Sequence, residues 1–136
     1  PTVDRDPVEN WTNGNASLMG DAAHATYPVG SNGASQAIID ARKLSFYLLK
    51  FGLNKKALLE YQDEILPIAN KIILANRKTG PDAILQVVED ICEGDFEKIE
   101  DVIPYKKLKD HAQKYKKIAG FSIKELNNQE SIIKHF

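Results

Sequence analysis

The sequence predicts a mainly helical chain with four helices and one short strand. Three observations carry this. Apolar residues recur at three- and four-residue spacing through most of the 136 positions. One short apolar run, residues 16–19, lacks that spacing. Glycine and proline divide the periodic segments at Gly33, Gly52, Gly80-Pro81, Gly94, Pro104 and Gly120.

Residues 1–15 are polar and turn-rich, with Asp4, Arg5, Asp6, Pro7 and the strong turn dipeptide Asn13-Gly14. Trp11 is read as a packing residue. Residues 16–19 are short enough for a buried strand. One strand cannot make a sheet, so its partners are expected outside this chain. Helix one is expected over 33–50, striped by Ala34, Ala37, Ile38, Ala41 and Leu44. Ile39, Phe46, Tyr47 and Leu49 fall off that stripe, which predicts burial on more than one face. Gly52 suits the position after its end.

Asn54 can cap helix two, expected over 55–78. Its stripe of Leu58, Tyr61, Ile65, Ile68, Ile72 and Ala75 keeps phase across Pro67, so the proline should kink the helix without ending it. Pro81 and Asp82 start helix three, over 81–91. Residues 97–102 are ambiguous, at most one turn. Helix four is expected over 104–119, striped by Leu108, Ala112, Tyr115 and Ala119. Ser122 suits the cap of a last turn reaching Leu126, and 127–136 read as a loose tail. The chain divides into 1–52 and a C-terminal helical region, 53–136.

Composition narrows the class. The length suffices for one domain, and 43% apolar with 27% charged residues is the balance of a soluble globular protein. A net charge of -1 gives no field favouring nucleic acid or membrane. Lys106, Lys107, Lys109, Lys114, Lys116 and Lys117 read as a solvated helix face. No apolar run approaches the roughly 20 residues that cross a bilayer. No signal peptide is visible. The lone Cys92 excludes an intramolecular disulfide and suits the cytoplasm. Pro1 in place of methionine leads us to expect residues upstream. There is no metal-ligand spacing of Cys and His, no P-loop and no G-x-G-x-x-G.

The stretch Gly20 to Arg42 carries the chemistry. It runs from the end of the strand through a carboxylate and a Gly/Pro loop to a helix N-terminus. That order suits a polar, partly anionic ligand. Asp21 can accept hydrogen bonds from hydroxyls. The helix start offers unpaired N–H groups and a positive dipole end. Gly30 and Gly33 let the backbone approach a flat ligand with no Cβ in the way.

Gly20-Asp21-Ala22-Ala23-His24, Pro28, Gly30, Gly33 and Asp40-Ala41 resemble the second FAD-contacting motif of the class A flavoprotein monooxygenases, the aromatic hydroxylases. Asp4-Arg5-Asp6-Pro7 and Pro67-Ile68-Ala69-Asn70-Lys71 resemble the branch that includes the phenazine-1-carboxylate monooxygenases. The resemblance is specific over the first half and covers the C-terminal part of such a protein. It implies that this mainly α chain is a fragment of an α/β FAD/NAD(P)-binding, aromatic-hydroxylase-like fold.

The resemblance also implies roles. Asp21 would bind a ribityl hydroxyl of FAD. Pro28, Gly30, Ser31, Asn32, Gly33, Ala34 and Ser35 would lie along the flavin pyrimidine edge. The amides of Ala34 and Ser35 would face flavin N1 and its adjacent carbonyl. Arg5 would sit near the cofactor, although Asp4, Arg5 and Asp6 suit an ion-paired loop equally. His24 and Asp40 read as scaffold, with no carboxylate at a spacing that signals a dyad with His24.

The implied parent is an FAD-dependent monooxygenase that hydroxylates an aromatic or related small molecule with NAD(P)H and oxygen. This chain would contribute the flavin-ring loop and would be inactive alone. Its partners would be the N-terminal half of the cofactor site, the substrate and, as a fragment, a second copy. A halogenase or reductase of the same fold, or a non-catalytic self-associating fragment, remains open from these residues.

Overall fold

Asn13-Gly14 closes a hairpin. In the computed structural model, which describes residues 3–28, 32–79, 83–118, 127–128 and 130–131, β1 (Thr12–Asn13) runs antiparallel to β2 (Ala16–Ser17). Thr12 faces Ser17 and Asn13 faces Ala16. Gly14 takes the first loop position at φ 61, as a two-residue II′ hairpin turn requires of it. The Leu18 N–H donates to the Trp11 carbonyl at 3.0 Å and continues the pairing.

The strand therefore has its partner within the chain, contrary to the sequence reading. It is also shorter than residues 16–19 and is not buried. Ala16 is exposed, and Met19 is 42% exposed. The hairpin is anchored by its other strand. Trp11 is 3% exposed and packs on Tyr61, with ring centroids 5.8 Å apart. Gln62 Oε1 accepts from the N–H groups of both Trp11 and Thr12 at 2.8 Å.

Among the described residues follow the helices α1 (Asp21–His24), α2 (Gly33–Phe51), α3 (Lys55–Thr79), α4 (Ala83–Cys92), α5 (Ile99–Val102) and α6 (Tyr105–Ile118). The four longer ones stand where the sequence reading puts them. The sequence reading did not contain α1, and α5 is the ambiguous turn. The Gly52 N–H closes α2 onto the Leu48 carbonyl at 2.9 Å, and Gly52 has φ 84. Asn54 Oδ1 accepts from the Ala57 N–H at 3.2 Å and caps α3. Pro67 lies inside α3 on its exposed face, and the helix continues past it. The expectations for Gly30, Ser31, Pro81, Asp82, Ala119, Gly120 and 122–126, and most of 127–136, lie outside the described residues.

The faces differ from the expected stripes. On α3 the buried positions are Ala57, Tyr61, Ile65, Ala69, Ile72 and Ile73. Ile68 turns outward, because a step of four residues advances 40° beyond a full turn and the face shifts along the helix. On α2 the fully covered positions are Gln36 and Asp40, with Ile39, Leu44 and Tyr47 half-buried, while Ile38 is 63% exposed. An apolar count cannot find a face centred on two polar residues. The core joins Trp11, Ala23, Tyr61, Ile65 and Ala69 between the hairpin, α1, α2 and α3. Burying a side chain such as Ile65 contributes about 1.5–3 kcal/mol. This core fixes the region where α1 meets the start of α2.

Candidate functional site

Gly20 sets the turn. Its φ of 59 and ψ of -141 suit glycine alone, and a Cβ there would lie 3.5 Å from the Ala37 Cβ of α2. The chain can therefore swing from the hairpin into α1 against α2. The Gly20 carbonyl accepts from the N–H groups of Ala23 and His24 at 2.9 Å each. The Gly20 N–H donates to Asp40 Oδ2 at 2.8 Å.

The same Asp40 oxygen lies 2.6 Å from His24 Nε2. His24 is 2% exposed and Asp40 is fully buried. Asp40 is thus a clasp that ties both ends of the Gly20–His24 turn to the middle of α2. Burial and the nearby Asp40 charge push the Tyr61 hydroxyl above the ordinary phenol range. The structure places a carboxylate beside His24, which the sequence reading did not find. The scaffold role assigned to both residues agrees with their burial, since neither side chain is open to substrate or water.

Asp21 emerges on the other side of this turn. Its side chain is exposed. A Cβ built on Gly33, the first residue of α2, would meet Asp21 Oδ1 at 4.0 Å. The structure thus brings the predicted carboxylate to the predicted helix start. Asn32 occupies the N-cap with φ -114 and ψ -4, and its side chain makes no capping bond. The first intrahelical bond is from the Gln36 N–H to the Asn32 carbonyl at 2.9 Å. The N–H groups of Gly33, Ala34 and Ser35 therefore lack intrahelical acceptors.

The remaining predicted residues scatter. Pro28 is exposed ahead of α2. Gly30 and Ser31 are outside the described residues. Ala34 is exposed and Ser35 half-buried in the first turn of α2. Arg5 donates its Nη1 hydrogen to the Ala22 carbonyl, and its own N–H donates to the Ala25 carbonyl at 3.0 Å. It laces the N-terminal segment to α1. Asp4 and Asp6 accept from Arg77 at 2.5 and 2.8 Å, the ion-paired arrangement the sequence left open. The Arg77 bond is the main cause that holds the Asp4 carboxyl below the ordinary range.

Sequence reasoning put Tyr115 on the stripe of its helix but missed Asn76 and the bonds that join the two to Asn32. Tyr115 is buried on α6, its hydroxyl donating to Asn76 Oδ1 at 2.7 Å and accepting from Asn32 Nδ2 at 3.3 Å. The six lysines of α6 are exposed, as expected of a solvated face. Among the described residues no cluster of His, Cys, Asp and Glu could hold a metal, and no helix is long and apolar enough to cross a membrane.

Residues 2–76, more than half of the chain, match a family described as FAD binding domain. The chain belongs to this family. The chain is 49% identical over 77 residues to a phenazine 1,6-dicarboxylic acid hydroxylase of Lysobacter antibioticus, covering 57% of this chain and 19% of that protein. It is 39% identical over 80 residues to a 3-hydroxybenzoate 6-hydroxylase of Aquipseudomonas alcaligenes, covering 58% and 25% respectively. It is 36% identical over 104 residues to a 3-amino-4-hydroxybenzoate 2-monooxygenase of Streptomyces platensis, covering 72% and 26%. The chain spans between a fifth and a quarter or so of the length of these relatives.

The residues present fit the cofactor. The exposed Asp21 carboxylate faces a glycine, not a side chain, across the start of α2. The first-turn amides beside it carry no side-chain cap. That pairing offers one acceptor for a hydroxyl and several donors for a carbonyl or anionic edge.

Proposed function

We propose that this chain is the flavin-ring part of an FAD-dependent monooxygenase that hydroxylates an aromatic or related small molecule with NAD(P)H and oxygen. The observation that carries the reading is the Asp21 carboxylate set against Gly33 at the start of α2. The relatives support it, since those quoted bear names of hydroxylases or monooxygenases of aromatic acids. Bound FAD would supply the redox and oxygen chemistry.

The chain's own residues bind and orient. Asp21 accepts a hydrogen bond from a hydroxyl of the cofactor. The N–H groups of Ala34 and Ser35, at the positive end of α2, stabilise negative charge at the polar edge of the flavin. Pro28, Gly30, Ser31 and Asn32 shape the loop, and Gly33 keeps the approach free of a Cβ. Arg5 holds α1 through the Ala22 carbonyl and lies close to the cofactor. Asp40 and His24 keep Asp21 aimed by fixing the turn that carries it.

The G-x-G-x-x-G half of the site comes from a segment outside this chain, which makes the 136 residues inactive alone. The whole protein works in the cytoplasm on an aromatic or related small molecule, with no nucleic acid partner and no membrane span. The isolated chain pairs with a second copy through the exposed Ile38 and Leu49 of α2 and Leu85 and Ile91 of α4.

The test is Asp21→Ala in the whole flavoprotein. Loss of a charged acceptor of about 1.5–3 kcal/mol weakens FAD binding roughly ten- to a hundredfold in a fluorescence titration. Unchanged affinity refutes the assignment of Asp21. NAD(P)H oxidation that yields no hydroxylated product with any aromatic acid refutes the monooxygenase.

A further inference from the structure

Asparagine at an N-cap ordinarily turns its side-chain oxygen onto the N–H of the second or third helical residue. For α2 those residues are Ala34 and Ser35. Asn32 does not do this. Its side chain points into the protein, where the residue is 1% exposed and Nδ2 donates to the Tyr115 hydroxyl at 3.3 Å. Tyr115 in turn donates to Asn76 Oδ1 at 2.7 Å. Three elements meet at that hydroxyl: the cap of α2, the end of α3 and the last turn of α6. Asn32 Oδ1, the atom that would cap the helix, is buried and has no hydrogen-bond partner among the described residues.

The Asn32 backbone, at φ -114 and ψ -4, stands outside the extended region that an asparagine cap ordinarily takes, and its amide is turned to Tyr115 instead. We infer that Tyr115 is a positioning residue of the flavin site, holding the Asn32 amide away from the start of α2 and so leaving the Ala34 and Ser35 N–H groups open to the ligand. This rests on the function proposed above. It also extends the site to α6, beyond the residues 2–76 that match the family.

Cap and ligand compete for the same donors. When the Tyr115 hydroxyl is lost, Asn32 Nδ2 loses its acceptor and the amide rotates to cap its own helix. An ordinary asparagine cap corresponds to about fivefold in an equilibrium constant. Tyr115→Phe keeps the ring in place and removes only the hydroxyl.

Two measurements decide it. In this chain, hydrogen exchange of the Ala34 and Ser35 amides slows about fivefold in Tyr115→Phe. Adding Asn32→Ala removes the competing cap and returns the rates to those of the parent. In the whole flavoprotein, Tyr115→Phe weakens FAD binding about fivefold, and in an Asn32→Ala background it weakens it no further. A tyrosine that merely packs gives additive losses, with the double variant weaker than either single one. Additive losses, or unchanged exchange at Ala34 and Ser35 in Tyr115→Phe, overturn the inference. If the parent flavoprotein fails to retain FAD, the flavin reading falls instead, and the exchange rates alone decide the role of Tyr115.

Discussion

Removing the Asp40 carboxylate tests how the site is held. Asp40 Oδ2 serves two buried donors, the Gly20 N–H at 2.8 Å and His24 Nε2 at 2.6 Å. In Asp40→Ala both lose their partner where water does not reach, since Asp40 is fully covered and His24 is 2% exposed. A buried donor left unpaired costs about 1–3 kcal/mol, so the two together cost about 2–6. Alanine is the better helix former and returns up to about 0.7 kcal/mol. The expected net loss of about 2–5 kcal/mol is a large share of the roughly 5–15 that holds a domain together. Asp40→Asn retains one oxygen, and we expect about half the loss. Urea unfolding followed by far-ultraviolet circular dichroism reads both from the shift in midpoint. A loss below about 1 kcal/mol in Asp40→Ala would mean that the clasp does not hold the turn. A double-mutant cycle with His24→Ala should give a coupling of about 0.5–3 kcal/mol, and strict additivity would contradict the direct bond.

Gly20→Ala should destabilise by about 1–3 kcal/mol, because φ 59 with ψ -141 is strained for a residue with a Cβ; an unchanged melting temperature refutes this. Glu64 bears on pH. Its partial burial alone would raise its pKa, but bonds from Lys43 at 2.6 Å and Tyr47 at 2.7 Å outweigh burial and lower it. A lowered folded-state pKa means stability that is present above the unfolded pKa of about 4.3 and lost as pH falls through the folded one. Glu64→Gln should therefore flatten the acid limb of the stability curve, and an identical limb in both proteins counts against the pair. Tyr47, pushed up to about 12 by burial and by Glu64, stays a donor throughout. Finally, light scattering of the isolated chain should give a dimer or larger, and a monodisperse monomer rules out pairing through the exposed faces of α2 and α4.

Local chemistry determined what the sequence alone could state. Three- and four-residue spacing set three of the longer helices, start and stop signals set α4, and Gly52 and Asn54 marked the junction between α2 and α3. The order of Asp21, a Gly/Pro loop and Gly33 placed a carboxylate and a helix start twelve or so positions apart, and the two do meet. Their meeting across so short a stretch leaves a trace in the order of residues.

Tertiary structure decided the rest. Asp40 joins His24 across 16 positions and Tyr115 joins Asn32 across 83, and such bonds have no period that a sequence displays. The covered face of α2 is centred on Gln36 and Asp40, so counting apolar residues pointed to Ile38, which faces out. Asn13-Gly14 was legible as a turn. Whether its flanks would pair depended on Trp11 finding Tyr61 and Gln62 on α3, about fifty residues away. A two-residue strand has too few bonds to stand by itself, and only the helix beneath it makes the hairpin stable.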